Sequence, residues 1–210
     1  MKKTLLLLLF TGFIFSAKGQ NWAAPGAVWY YSYGNFAYDG YVKIWKLGDT
    51  IINGKTCDVL KKKRYGYNYM TSVFDTVYLG EDYTYMQNDS VFNFRNNQFY
   101  LLYDFNAQAA DEWIVAGWNS SPCPSSDTVS VDSSGTMIIN SDTLKCVYMR
   151  PLSMNYWPEW QFTNNWSSIL RTVIEKIGCL GYMFPEPFCV TDMNEGGYLR
   201  CYTDSSGWTY

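Results

Sequence analysis

Histidine is absent from this chain of 210 residues, and its absence removes most familiar catalytic systems. Ser-His-Asp and Cys-His nucleophile systems need an imidazole whose pKa lies near neutrality. The sequence has no Gly-x-Gly-x-x-Gly fingerprint and no complete Gly-x-x-x-x-Gly-Lys-Ser/Thr phosphate loop. No cysteine lies in a sequence context that marks a reactive thiol. Carboxylate chemistry is therefore the catalytic class that the sequence leaves open.

The most aromatic stretch of the chain, residues 156–162, surrounds one carboxylate, Glu159. Glycoside hydrolysis needs two carboxyl groups beside an aromatic sugar platform, and the sequence does not identify a second one. The same stretch also suits ligand binding, since Trp157, Trp160 and Trp166 offer flat apolar faces and Glu159 a hydrogen-bond acceptor. The alternative is that these tryptophans seal one end of the fold. A calcium site in the Asp/Asn turns, for example at residues 132–135, is a further alternative.

The N-terminus has the pattern of a secretory signal peptide. Two lysines open the chain, a short apolar stretch follows, and small residues end at Gly19. The apolar stretch is shorter than the roughly 20 residues that a membrane-spanning helix needs. We therefore expect residues 1–19 to be cleaved, residues 20–210 to form a single domain, and the mature chain to have no transmembrane segment.

Six cysteines follow the signal peptide, and an even number in an exported chain predicts disulfides. Six cysteines allow 15 pairings, and only one is favoured here, Cys189 with Cys201. These two flank a short segment containing Gly196 and Gly197, which can turn the chain back on itself. A metal site is not expected, because the sequence has neither histidine nor a Cys-x-x-Cys motif. No cofactor is expected either.

Charge argues against nucleic acid as a partner. The full chain has a net charge of -3, and removal of Lys2, Lys3 and Lys18 with the signal peptide takes it to -6. Nucleic acid and anionic membranes require clustered positive charge. The basic run at residues 61–64 is the local exception, and we expect it to lie along a solvated strand, where lysines discourage edge-to-edge pairing.

The pattern of apolar and turn residues predicts an all-β fold. Aromatic residues make up 19% of the chain, and they pack well on a pleated surface. Short strands are predicted at residues 27–33, 40–47, 49–52, 55–63, 76–79, 83–87, 91–94, 98–105, 112–116, 128–131, 136–139, 143–149, 172–175 and 198–202. Asn53 and Gly54 predict a type I′ hairpin turn. Strands joined by such short turns are antiparallel, so we expect a meander that curls into a barrel or half-barrel, with little helix.

Four segments, 48–57, 103–113, 175–185 and 196–204, resemble those of uncharacterised secreted proteins from Bacteroidetes. Many of those proteins carry a C-terminal sorting domain of the type IX secretion system. Two residues depart from the pattern, since Ala110 stands where glycine is expected and Cys179 where serine is expected. No sorting domain follows residue 204, so the expected location is periplasmic, cell-surface or extracellular. The resemblance implies a compartment and a domain type, and no activity.

Taken together, the sequence predicts a secreted binding or surface-interaction module without enzymatic activity, with a glycan or small apolar ligand as partner. One alternative is a lipocalin-like carrier that holds a small apolar ligand inside the barrel. Another is a carboxylate-dependent glycan hydrolase. These three hypotheses differ in where the ligand lies: on a surface, inside the barrel, or in a cleft with paired carboxylates.

Overall fold

A computed structural model describes residues 22–116, 126–152, 171–184 and 195–210 of the chain. These residues form twelve β-strands and no helix, which confirms the predicted all-β fold. The first six strands are β1 (Val28–Gly34), β2 (Tyr38–Ile52), β3 (Lys55–Asn68), β4 (Val73–Gln87), β5 (Ser90–Arg95) and β6 (Gln98–Asp104). The other six are β7 (Glu112–Ala116), β8 (Ser126–Ile139), β9 (Asp142–Pro151), β10 (Thr172–Ile174), β11 (Gly178–Cys179) and β12 (Leu199–Thr203).

The strands form two antiparallel sheets. The larger sheet has seven strands in the order β12-β1-β2-β3-β4-β5-β6 and curls into a half-barrel. The smaller sheet has five strands in the order β11-β10-β9-β8-β7. Strands that follow one another in sequence are neighbours within each sheet, as the predicted meander requires. The larger sheet stays a half-barrel because the chain leaves it after β6. The chain rejoins this sheet only with β12, which pairs with β1.

Two-residue turns join the best-defined hairpins. Asn53 and Gly54 both have positive φ, 49° and 76°, which confirms the predicted turn. Three other turns do without glycine, because Asn, Asp and Ser side chains tolerate or support this conformation. These turns are Asn88–Asp89, Asn96–Asn97 and Asn140–Ser141, all with positive φ.

Several predicted breaks between strands are wrong, because the chain bulges there instead of turning. Residues 80–82, expected as a turn, lie inside β4, where the register with β3 shifts beside Gly80. Residues 132–135 lie inside β8, where the register shifts between Val131 and Ser133. A bulge absorbs an extra residue without ending the strand, and Gly80 has the positive φ of 99° that such a position favours.

The core lies between the two sheets and is dominated by aromatic side chains with satisfied polar ends. Trp29 and Tyr31, both fully buried on β1, donate hydrogen bonds to the carbonyl oxygens of Ile177 (2.7 Å) and Cys179 (3.1 Å). These bonds tie the half-barrel to the smaller sheet. The strands of the smaller sheet contribute mainly aliphatic residues to the same core: Val129, Val131, Val147, Met149 and Val173.

Strands β2 and β3 approach closely at a pair of glycines, Gly40 and Gly66, which lie opposite each other in the register. A Cβ on Gly40 would lie 2.0 Å from the carbonyl oxygen of Tyr65 and 2.6 Å from the Cα of Gly66. No other residue type fits there without moving the backbone, so the local spacing of the two strands is set by the main chain.

The described cysteines are Cys57, Cys146 and Cys179, all buried, and the exposed Cys201 on β12. No disulfide joins any two of these four. Cys189 lies outside the described residues, so its pairing with Cys201 stays a prediction. The predicted signal peptide also lies outside them. Within the described ranges, no helix is long and apolar enough to cross a membrane.

Candidate functional site

The predicted ligand-binding residues Trp157, Glu159, Trp160 and Trp166 all lie in the stretch 153–170, outside the described residues. The structure therefore neither supports nor opposes a site there. Two other groupings of functional side chains do emerge within the described strands. One lies on the outer face of the half-barrel and the other is buried on its inner face.

Alternation along the strands divides the half-barrel into a buried inner face and an outer face. Ile44 on β2 and Leu60 on β3 point inward and are fully buried. Their neighbours of opposite parity point outward, and several pair directly across strands. We call this outer grouping the tyrosine–lysine face. Its members are Tyr30, Tyr41, Lys43, Trp45, Lys61, Lys63, Tyr65 and Tyr78.

A row of tyrosine rings crosses this face from β1 to β3. Tyr41 and Tyr65 lie opposite each other, and their rings stack with centroids 5.0 Å apart and planes 18° apart. Tyr30 adds a tilted contact with Tyr41 at 5.8 Å. Rings stacked across strands stand upright on the sheet, so they present their edges and hydroxyl groups to solvent.

Lysines fill the space between the tyrosines. Lys43 and Lys63 lie directly opposite each other on β2 and β3, and Lys61 lies opposite Trp45. The Lys43 ammonium lies 5.3 Å from the Trp45 ring and 5.8 Å from the Tyr30 ring, within cation–π range. None of these lysines forms an ion pair with a described residue.

Glu81 is the acidic residue opposite Lys61 in the register, but its carboxylate is engaged elsewhere. It accepts hydrogen bonds from the hydroxyls of Tyr78 (3.0 Å) and Tyr83 (3.3 Å). Lys61 instead lies 5.2 Å from the Tyr78 ring. The tyrosine–lysine face is thus a local patch of unpaired positive charge on a chain whose net charge is negative.

An exposed apolar region continues this face toward the β3–β4 hairpin. Phe74 lies opposite Tyr67, and Tyr67 makes an edge-on ring contact with Tyr69 at 5.4 Å. The β1–β2 turn reaches the same end, since the Tyr69 amide donates to the carbonyl of Ala37. We call this region the apolar tip: Phe36, Tyr67, Tyr69, Met70, Val73 and Phe74, all of them exposed. Exposed apolar patches of this kind mark interaction surfaces.

A buried ion cluster lies on the inner face of the half-barrel. Lys62 Nζ is 2.6 Å from Asp82 Oδ2 and 2.5 Å from Glu195 Oε1, and Arg95 Nη2 is 3.1 Å from Asp82 Oδ1. Tyr182 donates its hydroxyl hydrogen to Glu195 at 2.8 Å. The cluster connects β3, β4 and β5 to Glu195, which lies four residues before β12.

The prediction that the basic run at residues 61–64 is a solvated strand is wrong for Lys62. The strand alternates, so Lys61 and Lys63 point outward while Lys62, only 3% exposed, points into the core. Arg64 also points inward and donates to the Tyr33 hydroxyl at 3.0 Å. The sequence could have indicated this, because Lys62 follows the apolar Leu60 by two residues, and residues two apart in a strand lie on the same face.

The electrostatics of the buried ion cluster fix its protonation. Burial alone would raise the pKa of Asp82, but the charges of Lys62 and Arg95 outweigh it and lower that pKa to about 2. Burial alone would lower the pKa of Lys62, but Asp82 and Glu195 raise it above its usual value. Asp82 therefore stays ionised at neutral pH.

Comparison with known proteins adds no relative: no family model, curated protein or solved structure matches the chain. Within the described ranges, no group of three or more Cys, Asp and Glu side chains is arranged to hold a metal ion. The function must therefore be argued from the chemistry of the two groupings themselves.

Proposed function

We propose that this chain is an exported binding domain without enzymatic activity, and that its tyrosine–lysine face holds an acidic glycan. The observation that carries the proposal is the juxtaposition of Lys43 and Lys63, opposite each other and unpaired, beside the stacked rings of Tyr41 and Tyr65. Like charges directly opposite in a sheet cost stability, so a ligand that neutralises them gains from an arrangement already in place.

The chemistry of the face suits the substituents of an acidic sugar. Lysine ammonium groups donate charge-assisted hydrogen bonds to carboxylate or sulfate groups. Tyrosine hydroxyls exchange hydrogen bonds with sugar hydroxyls, and the ring edges pack against apolar patches of the sugar. Neighbouring strands are about 4.8 Å apart, so a face four strands wide spans about 15 Å, enough for more than one sugar ring.

The shape of the face favours an extended ligand over a small enclosed one. A lipocalin-like carrier needs an interior cavity, whereas the space between the described sheets is filled by Trp29, Tyr31, Tyr103 and Tyr202. Single-stranded nucleic acid stacks its bases on open ring faces, but Tyr41 and Tyr65 turn their faces toward each other. A chain-like, negatively charged sugar polymer fits both features.

The proposal is tested by calorimetric titration with polygalacturonate, alginate and hyaluronan, each beside its neutral methyl ester. We expect at least one acidic polymer to bind, its ester to bind at least tenfold more weakly, and affinity to fall as salt rises. Lys43→Ala and Lys63→Ala each remove one charge-assisted hydrogen bond, which is about a tenfold loss of affinity.

Arg150→Ala is the matched control, because Arg150 is an exposed cation on β9 of the other sheet. It should change the affinity by less than about twofold. The proposal fails if no acidic polymer binds, if the ester binds equally well, or if Arg150→Ala weakens binding as much as Lys43→Ala.

A further inference from the structure

Among the described strands, the first half of β4 is an open sheet edge. On one side, residues Val73 to Tyr78 pair with β3. On the other side, β5 pairs only with the second half of the strand, from Tyr83 to Gln87. Among the described strands, none pairs with the free side of Val73 to Leu79. Every second residue along this edge therefore turns its backbone N–H and C=O groups away from the sheet.

This edge has few of the features that usually prevent strands from pairing. Natural edges are blunted by lysine, proline, bulges or very short strands. Here seven consecutive residues contain neither lysine nor proline, and Asp75 is the one charged side chain among them. The bulge in β4 lies at the end of this stretch, where Leu79 has no partner on β3. Val73, Phe74 and Tyr78 are 54%, 62% and 51% exposed.

The sequence of the edge is complementary to itself about Thr76. An antiparallel pair of two such edges, with Thr76 on the two-fold axis, places Phe74 opposite Tyr78 of the second copy and Val73 opposite its Leu79. Asp75 then lies opposite Val77, so the two aspartates avoid each other. Aromatic–aromatic and Thr–Thr pairs are among the favourable cross-strand pairs. A closed two-fold contact of this kind uses the same surface on both copies.

We infer that the protein dimerises through residues 73–79 of β4, which joins the two seven-stranded sheets into one continuous sheet. The inference does not depend on the glycan ligand, because it rests on the open edge and its symmetry alone. Pairing satisfies the free backbone groups and covers apolar side chains of Val73 and Phe74 with those of Leu79 and Tyr78. A second copy is thereby favoured over an unrelated peptide, since most apolar positions of the edge find apolar partners and Thr76 pairs with itself.

The dimer has a consequence for the outer surface. Phe74, Thr76 and Tyr78 share the outer face with Tyr65 and Lys63, which lie opposite Thr76 and Tyr78 on β3. Edge pairing therefore brings two tyrosine–lysine faces side by side. The two copies of Lys63 would be three strand spacings apart across the sheet and four residues apart along it, about 20 Å in all. A long polymer could contact both faces at once, which raises the overall affinity without a new type of contact.

The test is sedimentation equilibrium of the mature full chain, with wild type, Thr76→Lys, Thr76→Glu and an equimolar mixture of the two variants. We expect wild type to dimerise and each variant alone to be monomeric, since the axis places like charges opposite each other. The mixture should form a heterodimer, because lysine then faces glutamate across the axis. Thr136→Lys, on an exposed position of β8, is the matched control and should leave the dimer unchanged.

Circular dichroism shows whether each variant keeps the β-fold. The inference is overturned if wild type is monomeric at concentrations up to about 1 mM, which corresponds to a dimerisation free energy weaker than about 4 kcal/mol. It is also overturned if the folded Thr76→Lys variant dimerises as wild type does, or if the mixture stays monomeric while both variants are folded. Recovery of the dimer in the mixture supports the edge contact even if each variant alone is less stable.

Discussion

Lys43 and Lys63 face each other across β2 and β3, and neither forms an ion pair within the described part of the chain. Two like charges in directly opposed positions destabilise a sheet by a few tenths of a kcal/mol. Lys62, the residue before Lys63, differs from both because it is bonded to two carboxylates. The outer lysines are therefore available to an external anion, as the proposed glycan site requires, whereas the inner one is used in internal structure.

Relief of this repulsion should stabilise the protein while weakening its binding. We expect Lys63→Thr to raise the free energy of unfolding by about 0.5 kcal/mol, measured by urea denaturation at low salt. The same variant should bind the acidic glycan about tenfold more weakly. Lys55→Thr is the control, because Lys55 lies opposite Ile52 and bonds to Gln87. A Lys63→Thr variant less stable than wild type would contradict the repulsion argument.

Breaking the buried ion cluster should be costly. Asp82→Asn leaves Lys62 and Arg95 without one carboxylate in a buried setting, and we expect a loss of about 3 kcal/mol in the free energy of unfolding. Asp132→Asn breaks the exposed ion pair of Asp132 with Arg150 and should cost less than about 1 kcal/mol. Chemical denaturation of both variants measures the difference. Equal losses would show that burial of the cluster does not set its contribution.

The same aspartate predicts how stability depends on pH. Asp82 has a pKa of about 2 in the folded chain against 3.8 for the free group, so the folded state binds its proton more weakly. Its contribution, about 2 kcal/mol, is present above pH 4 and is lost as pH falls from 4 to 2. The pKa of Lys62 is raised in the folded chain, so the stability that this group contributes is lost at the alkaline end, as pH rises above 10.5.

Urea denaturation at several pH values tests this dependence. Asp82→Asn lacks the titrating group, so its stability should fall less steeply than that of wild type between pH 4 and 2. Parallel curves for the two proteins in that window would place the acid sensitivity in other carboxylates.

Ala110 occupies a backbone conformation that favours glycine. Its φ is 73°, in the left-handed region, which costs an alanine about 1–2 kcal/mol. After allowance for the greater flexibility of unfolded glycine, we expect Ala110→Gly to stabilise the protein by about 0.5–1 kcal/mol. Ala109→Gly, next in the chain and without positive φ, should instead destabilise it by about 0.5 kcal/mol. Thermal denaturation of the two variants would refute the argument if both shifted Tm in the same direction.

Gly54 and Gly48 provide a second test of backbone conformation. A Cβ at either position meets no atom within 4 Å, so the two sites differ in φ, which is 76° at Gly54 and not positive at Gly48. We expect Gly54→Ala to lower the free energy of unfolding by about 1 kcal/mol through strain in the I′ turn. Gly48→Ala should be neutral or slightly stabilising. Equal effects at the two sites, measured by thermal denaturation, would rule out φ as the cause.

The sequence predicted the all-β class and the hairpin turn at Asn53 and Gly54, because local side-chain chemistry determines both. Breaks inside the long strands were predicted wrongly, since Gly80 and Asp132 look the same in a turn as in a bulge. The two are told apart only by the partner strand, which either continues, as β3 does beside Gly80, or ends. The division into two sheets likewise depends on the return of β12 to β1, a contact between distant parts of the chain.

The candidate site was harder to predict than the fold. Tyr41 and Tyr65 are 24 positions apart in sequence, and only the register of β2 and β3 brings their rings together. The predicted site residues Trp157, Glu159, Trp160 and Trp166 stay predictions, because they lie outside the described residues. Lys62 was predicted to be exposed because it is charged. It is buried because it forms ion pairs with Asp82 and Glu195, which are far from it in sequence.

The glycine pair formed by Gly40 and Gly66 also protects the hairpin against mispairing. On the outer face, aromatic and basic residues recur at every second position from Tyr41 to Trp45 and from Lys61 to Tyr67, so a slip by two residues would exchange one such neighbour for another. The slip would bring Tyr38 or Val42 to the place of Gly40, where a Cβ would lie 2.0 Å from the carbonyl oxygen of Tyr65. Steric exclusion at this crossing therefore reinforces the register that the ion pair between Lys46 and Asp58 also favours.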